Sequence, residues 1–301
     1  MVRALEQNGC EVEVFAYRKG RRRLKGYKCR VIHRSRLTRL CHAAVIKRFG
    51  RKWPFKGVKT PPNWVTAINW LLMHRDFYHY VLRRCRPWTP DMIYARHAWL
   101  AWPYYRLRTK LDVPMALEVN SAMTIEKADR GELAFKGLSQ SIETKIFKAA
   151  DCILPISREV ADHVVSLGAD PDRVQVTPNA VDTELFCPSA NGPERPEGQF
   201  IVGAVNSFRA YHGMDTLVRA AAELLPRMPG LRLLLIGGGN QEESIRQLAR
   251  DLGVESILEI TGVVDHPMVP ELLRRCDVCV SPNQGEHNTY NCPMKLYEYM
   301  S

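Results

Sequence analysis

Three segments in the second half of the chain place cations, a carboxylate and clustered glycines just after short apolar runs. Residues 203–213 read Gly-Ala-Val-Asn-Ser-Phe-Arg-Ala-Tyr-His-Gly, between a β-branched run and an amphipathic stretch. A strand-to-helix turn of this kind points unpaired backbone N–H groups at a ligand, and Arg209 and His212 add positive charge at that mouth. Residues 233–240, Leu-Leu-Leu-Ile-Gly-Gly-Gly-Asn, end a second apolar run in a glycine loop, for which a plain tight turn is the structural alternative. Residues 288–301 read Asn-Thr-Tyr-Asn-Cys-Pro and then Met-Lys-Leu-Tyr-Glu-Tyr-Met-Ser, which sets Pro293 at the first position of a helix. Lys295 adds charge there. Glu298, one turn on, offers a carboxylate that can accept hydrogen bonds from two ribose hydroxyls, with Leu296 and Met300 expected to pack inward. The shared chemistry is that of holding a phosphorylated nucleoside. The glycine loop lacks the third glycine of the dinucleotide fingerprint, and no acidic residue is placed as a ribose ligand after a first strand, so a nicotinamide dehydrogenase is rejected.

These turns need strands to end them and helices to follow. Short β-branched runs alternate with helical patterns almost throughout, which predicts α/β architecture with parallel sheets. Strands are expected at 12–17, 29–33, 92–96, 115–120, 152–157 and 174–177, with helices at 63–85, 132–149 and 158–167. The alternation restarts with strands at 200–205, 231–236, 257–261 and 278–281 and helices at 214–228, 241–252, 268–275 and from 293. Residues 187–199, dense in Pro and Gly without apolar periodicity, read as a linker between domains at 1–186 and 200–301. No strand precedes the helical pattern at 1–8 and the last helix simply stops, so further sequence is expected on both sides, including the opening strand of the first domain.

In the first domain the runs ending at Arg96 and Asn120 reach the edge where open parallel sheets collect ligands. Arg96, Glu118 and Asn120 are therefore candidates to meet a second substrate, although a salt bridge between Glu118 and Arg96 explains the pair equally well. His97 is the weaker candidate, since it can simply start a helix. Asp170-Pro171-Asp172 is the only D-x-D string, and it enters a strand at the amino end, away from ligands, so no metal is expected. Cys276 and Cys279 match C-x-x-C, but leading into a strand they are expected to point to opposite faces, with no redox or metal role.

Residues 1–60 carry 18 Lys/Arg against 3 Asp/Glu, which leaves the other 241 residues net negative at −4. The basicity between Arg18 and Arg39 suits an anionic membrane surface or an anionic lipid substrate, with a solvated loop as the plain alternative. A nucleic-acid-binding module is disfavoured, because no recognition-helix, zinc-finger or RNA-binding signature accompanies the charge. The nine scattered cysteines form no disulfide framework. No apolar run approaches the ~18 residues of a membrane span, and the first residues lack the apolar core of a signal peptide. A cytoplasmic protein, with peripheral attachment to the cytoplasmic membrane face as an option, is the resulting expectation.

In the order and spacing of its motifs the chain resembles the retaining, nucleotide-sugar-dependent glycosyltransferases of family four. The match rests on 150–157 (Ala-Asp-Cys-Ile-Leu-Pro-Ile-Ser), 176–182 (Val-Thr-Pro-Asn-Ala-Val-Asp) and 202–213. The 236–240 loop, 260–263 (Ile-Thr-Gly-Val), 277–282 (Asp-Val-Cys-Val-Ser-Pro) and 293–300 (Pro-Met-Lys-Leu-Tyr-Glu-Tyr-Met) complete it. The resemblance implies the GT-B fold, two Rossmann-like domains facing across a cleft, the second binding a nucleotide diphosphate sugar and the first a glycan or lipid-linked acceptor. It implies that Arg209 and His212 hold the diphosphate and Glu298 the ribose, with Ser207, Gly238, Gly239, Asn240, Val263, Tyr290, Asn291, Cys292 and Lys295 around the donor. It implies no cofactor and no metal. Tyr290 stands where the family's first glutamate is expected, and His212 where many members carry lysine. A nucleotide-sugar epimerase or phosphorylase of the same fold is the rival enzyme.

Overall fold

The computed structural model describes residues 2–16, 29–31, 63–188, 196–209, 212–282 and 293–301. The chain divides into two compact units, Met1–Thr177 and Pro178–Ser301. In the first, helix α1 (Val2–Gln7) leads to strand β1 (Val14–Ala16), which pairs in parallel with β2 (Cys29–Val31). Helix α2 (Asn63–Cys85) precedes a separate parallel sheet in the order β3 (Ile93–Arg96), β4 (Met115–Val119), β5 (Cys152–Pro155). Along β4 Met115, Leu117 and Val119 are buried while Ala116 and Glu118 are not, so the period of two sets Glu118 on the more open face.

Helices α3 (Pro103–Leu111), α4 (Met123–Asp129), α5 (Lys136–Ala149) and α6 (Arg158–Ser166) flank these strands. Val81 and Cys85 of α2 bury against Leu107 of α3. Arg108 donates to both carboxylate oxygens of Asp151, at 3.2 and 3.0 Å, and Asp151 also accepts the Met115 N–H at 2.9 Å, which ties α3 to the starts of β4 and β5. The helix expected over 132–149 begins only at Lys136, because Phe135 takes a left-handed φ of 49° and breaks the run. The expected strand at 174–177 is instead a single bridge from Val174 to Ile153. The Gln175 and Thr177 N–H groups donate to Ile153 and Pro155 at 2.9 and 2.8 Å, but Pro155 has no N–H to return and the ladder stops.

The second unit holds a four-stranded parallel sheet of β6 (Phe200–Val205), β7 (Leu231–Ile236), β8 (Leu258–Ile260) and β9 (Val278–Cys279), in the order β8-β7-β6-β9. β7 is covered on both faces. Leu231, Leu233 and Leu235 pack with Met214, Leu217, Val218 and Ala221 of α7 (Met214–Leu224) and Ile245 and Ala249 of α8 (Glu242–Asp251). Leu234 and Ile236 face the other way, onto Phe186 and onto Val269 and Leu273 of α9 (Val269–Leu273). This doubly wound arrangement is why β7 reads as a continuous apolar run. Helix α10 (Met294–Met300) follows β9.

Several expectations need correction here. Pro293 is not the first helical residue but the residue that caps the helix, with an extended ψ of 114°. Leu296 and Met300 do not pack inward: they are 41% and 85% exposed. The inward residue is Tyr299, which joins the apolar cluster around Ile236 and Leu273. Cys276 and Cys279 do not diverge, because Cys276 precedes the strand, and their thiols share a hydrogen bond that raises the Cys276 thiol and lowers that of Cys279. Asp170 caps a short 3-10 turn, Pro171–Arg173, and pairs with Arg173 at 3.4 Å. Among the described residues no helix is long and apolar enough to cross a membrane.

Candidate functional site

In the second unit the chain winds from β6 outward through β7 to β8 and then returns to place β9 on the other flank of β6. β6 thus has β7 on one flank and β9 on the other, and the crevice outside the carboxyl ends of strands at such a reversal of order is where open α/β sheets bind ligands. Ser207, Arg209 and His212 lie on the connection after β6; Lys295 and Glu298 lie on α10 after β9.

The turn after β6 and the helix α10 approach each other. Burial lowers the His212 pKa, and the positive charges of Lys295 and Arg209 lower it further, so the imidazole lies near both cations. His212 Nδ1 donates to the Ser207 carbonyl, which fixes the neutral ring with its lone pair on Nε2. Burial likewise lowers the Lys295 pKa, against the opposing pull of Glu298. Glu298 is sequestered at 11% side-chain exposure, and its Oε1 lies 3.3 Å from His266 Nε2. A cluster of partly desolvated cations beside one carboxylate is poised for an anion carrying hydroxyl groups.

The glycine loop serves this arrangement through close approach. Phe208 donates its N–H to the Gly238 carbonyl at 3.1 Å, and Gln241 donates to the Phe208 carbonyl at 3.2 Å. A Cβ on Gly237 would sit 1.9 Å from the Asn206 carbonyl oxygen, and one on Gly239 2.8 Å from that of Phe208. These glycines thus let the 206–209 turn lie against the 237–240 turn. Gly238 is buried, Asn240 is exposed, and Val263, close to Gly238, is 82% exposed despite being apolar. Tyr290, Asn291 and Cys292 lie outside the described residues.

The first unit gathers Arg96, Glu118 and Asn120 at the carboxyl ends of β3 and β4. The parallel register sets Arg96 opposite Glu118. Glu118 Oε1 accepts from Asn120 Nδ2 at 2.7 Å and lies 3.5 Å from Arg96 Nε, while Oε2 accepts from the Tyr94 hydroxyl at 2.8 Å. Burial and the Glu118 contact both raise the Tyr94 phenol, which stays a donor. His97 turns to the opposite face, buried 3.7 Å from Glu143, which also faces His163 at 3.9 Å. Ser157 caps α6, accepting the Val160 N–H at 3.3 Å.

Residues 1–180 match the family described as "Glycosyl transferase 4-like domain", and residues 199–301 match "Glycosyl transferases group 1". The chain belongs to the family-four glycosyltransferases. A relative from Acidothermus cellulolyticus, a D-inositol 3-phosphate glycosyltransferase, is 28% identical over 214 residues, covering 65% of this chain and 48% of its own. The chain thus spans about half the length of the curated relatives it matches. Among solved structures, sucrose-phosphate synthase from Thermosynechococcus elongatus superposes with a TM-score of 0.67 at 17% identity, covering 94% of this chain and 69% of that one. HepE from Anabaena, in complex with UDP-glucose, gives a TM-score of 0.54 at 16% identity, covering 75% and 60%. At these identities the likeness is one of fold.

Within this family-four chain the sequence pattern singled out the residues on the turn after β6 and on α10 but missed their supports. Tyr94 shares a strand end with Arg96, and only the hydrogen bond to Glu118 marks its part. Tyr299 lies in the same helix as Glu298, yet its hydroxyl accepts the Val205 N–H at 2.8 Å, a contact across 94 residues. His266 sits three residues after the exposed Val263, on a turn that carries no motif.

Proposed function

We propose that the chain is the donor-binding and acceptor-binding core of an enzyme that moves a sugar, with retention of configuration, from a nucleotide diphosphate sugar to a glycan or lipid-linked acceptor. The observation that carries the reading is the convergence of Arg209, His212, Lys295 and Glu298 at the switch point between β6 and β9. Arg209 and Lys295 hold the diphosphate as fixed cations and His212 joins them once protonated. Glu298 accepts from the ribose hydroxyls, and Val263 with Gly238 offers apolar and backbone surface to the base. The crystallised HepE complex with UDP-glucose supports a donor of this class on this fold.

Transfer on the face from which the diphosphate leaves asks little of side chains. The departing oxygen takes the acceptor proton while the cations stabilise its growing charge, a gain realised chiefly in the transition state. The reading therefore requires no resident metal or cofactor. Glu118, held by Tyr94, Asn120 and Arg96, supplies a fixed negative charge at the acceptor edge. The acceptors of the curated relatives, phosphorylated inositols by name, favour a polyol phosphate as a second acceptor class. Peripheral attachment to an anionic membrane on the cytoplasmic side rests on charge alone, since the basic stretch 18–39 lies outside the described residues except at Cys29–Val31.

The test is a panel of UDP, GDP and ADP sugars ranked by thermal shift, followed by transfer assays with and without acceptor. A ligand at ~100 times its dissociation constant adds about 2.7 kcal/mol of stability. Arg209→Ala should abolish the shift and the transfer while leaving the unliganded melt in place. A sugar altered without acceptor would point to an epimerase, and no shift with any member of the panel would overturn the donor reading.

A further inference from the structure

His266 is the neighbour of Glu298 that no motif announces. It opens the 3-10 turn His266–Met268, and its Nε2 lies 3.3 Å from Glu298 Oε1, within reach of an N–H donated to the carboxylate. The ring is braced from the side. Phe186 packs edge-on against it, with centroids 5.3 Å apart and planes at 61°. Phe186 is itself buried in the cluster with Ile236 and Leu273, and its carbonyl accepts from the Ser301 hydroxyl at 2.7 Å, one residue past α10. Its turn is fixed in place by Asp182, whose Oδ1 accepts the N–H groups of Glu184 and Leu185 at 3.2 and 3.3 Å.

Burial makes the contact consequential. The His266 side chain is 48% exposed, but that of Glu298 is only 11% exposed, so the carboxylate has traded most of its water for this imidazole and the nearby Lys295. A carboxylate that accepts from two vicinal hydroxyls must present its oxygens in one plane, and a donor fixed on one oxygen selects that orientation before the ligand arrives. Three residues upstream, the exposed Val263 lies on the same connection, so one loop both faces the ligand and sets the carboxylate.

We propose that His266 is a positioning residue for donor binding: its Nε2–H, braced on Phe186, orients Glu298 to receive the ribose hydroxyls. This rests on the reading of Glu298 as the ribose acceptor. His266 touches no reacting atom, so its substitution should act on nucleotide affinity and leave turnover at saturating donor nearly unchanged.

The test compares UDP with 2′,3′-dideoxy-UDP by calorimetry on the full 301-residue chain, or the GDP pair should the wild-type chain prefer guanine. His266→Phe keeps the ring against Phe186 and removes the donor. It should weaken the ribose nucleotide about 5- to 10-fold, the loss of one charge-assisted hydrogen bond, and the dideoxy nucleotide less than 2-fold. His266→Gln, whose amide can donate from nearly the same point, should recover most of the loss. Glu298→Gln/His266→Phe should bind no worse than Glu298→Gln alone. Equal losses for the two nucleotides, no loss in His266→Phe, or additive losses in the double variant would each overturn the assignment. If Glu298→Gln itself fails to distinguish ribose from dideoxyribose, the ribose reading of Glu298 falls and takes this one with it. If Glu298→Gln distinguishes them and His266→Phe does not, only the role of His266 falls. A melting midpoint of His266→Phe matching wild type separates positioning from folding.

Discussion

The hydroxyl of Tyr299 accepts the backbone N–H of Val205 at 2.8 Å, so the helix bearing Lys295 and Glu298 is fastened to the last residue of the strand that leads into Ser207 and Arg209. Two segments nearly a hundred residues apart thereby hold one geometry. Burial raises the Tyr299 phenol well above its ordinary value, which keeps the proton on the oxygen at any working pH.

Tyr299→Phe leaves the Val205 N–H without its partner while preserving the apolar packing. It should cost about 1–3 kcal/mol in urea unfolding and weaken nucleotide binding as the helix loosens. Unchanged stability and affinity would show that the strand and helix hold their relation by packing alone.

His212 should couple nucleotide binding to proton uptake. Its pKa is lowered by burial, then by Lys295 and Arg209, so the ring is neutral near pH 7 with Nε2 an acceptor that faces phosphate oxygen unfavourably. A diphosphate raises that pKa and turns Nε2 into a donor, so affinity should rise as the pH falls through the raised pKa of the bound state and level off below the lowered pKa of the free ring. Calorimetry in buffers of different ionisation enthalpy reads the uptake directly. His212→Lys, charged throughout, should flatten the profile; an equal slope in both proteins would place the titrating group elsewhere.

Gly237 takes a φ of 131° and has no room for a Cβ, which would fall 1.9 Å from the Asn206 carbonyl oxygen. Backbone obstructs it on one side and strain on the other, so Gly237→Ala should destabilise the second unit by about 1–3 kcal/mol or more. Donor affinity should fall in step, because the Arg209 turn is displaced. Gly253→Ala, with a φ of 68° but nothing within 4 Å of the added carbon, is the control for strain without a clash.

His74 gives the first unit a pH-dependent stability. It is buried, donates Nε2–H to the Trp99 carbonyl at 3.0 Å, and has its pKa lowered from 6.5 to about 4 by burial. The unfolded chain binds this proton more readily than the folded one. The native stability is therefore intact above about pH 6.5 and is lost progressively as the pH falls toward about 4, by a total on the order of 3 kcal/mol. His74→Gln keeps an amide donor and cannot titrate. Urea melts at pH 7.5 and 5 should show the smaller decline in the variant; an identical decline would assign the acid sensitivity to other groups, such as the buried His97, whose pKa is also lowered by burial.

Much of the second unit is legible in the chain itself. The apolar run at 231–236, the spacing of Met214, Leu217, Val218 and Ala221, and the glycines of 237–239 each state a local periodicity or a local steric need, which neighbours in sequence express on their own. The same holds for placing Arg209, His212, Lys295 and Glu298 just beyond apolar runs. The first unit is less legible. Helix α3 opens with Pro103 and aromatic residues that mask its pattern, α4 spans only seven residues, and β5 carries a proline that silently ends a ladder.

Periodicity cannot say which strand lies beside which. Placing β9 against β6 rather than β8, through the pairs Val202 with Val278 and Gly203 with Cys279, brings Arg209, His212, Lys295 and Glu298 to one crevice. Nor does a helical repeat say which face the sheet will take: Leu296 and Met300 share a plausible apolar face, yet Tyr299 goes inward because only its hydroxyl reaches the Val205 N–H. On β3, alternation alone leaves open whether Arg96 or His97 faces the ligand edge, and the buried Glu143 on α5 draws His97 to its side. The amino-acid sequence by itself determined most elements of the second unit, the family and the residue types available for chemistry. Tertiary structure decided which of them meet, because contacts between distant segments depend on the packing of whole surfaces that no short stretch encodes.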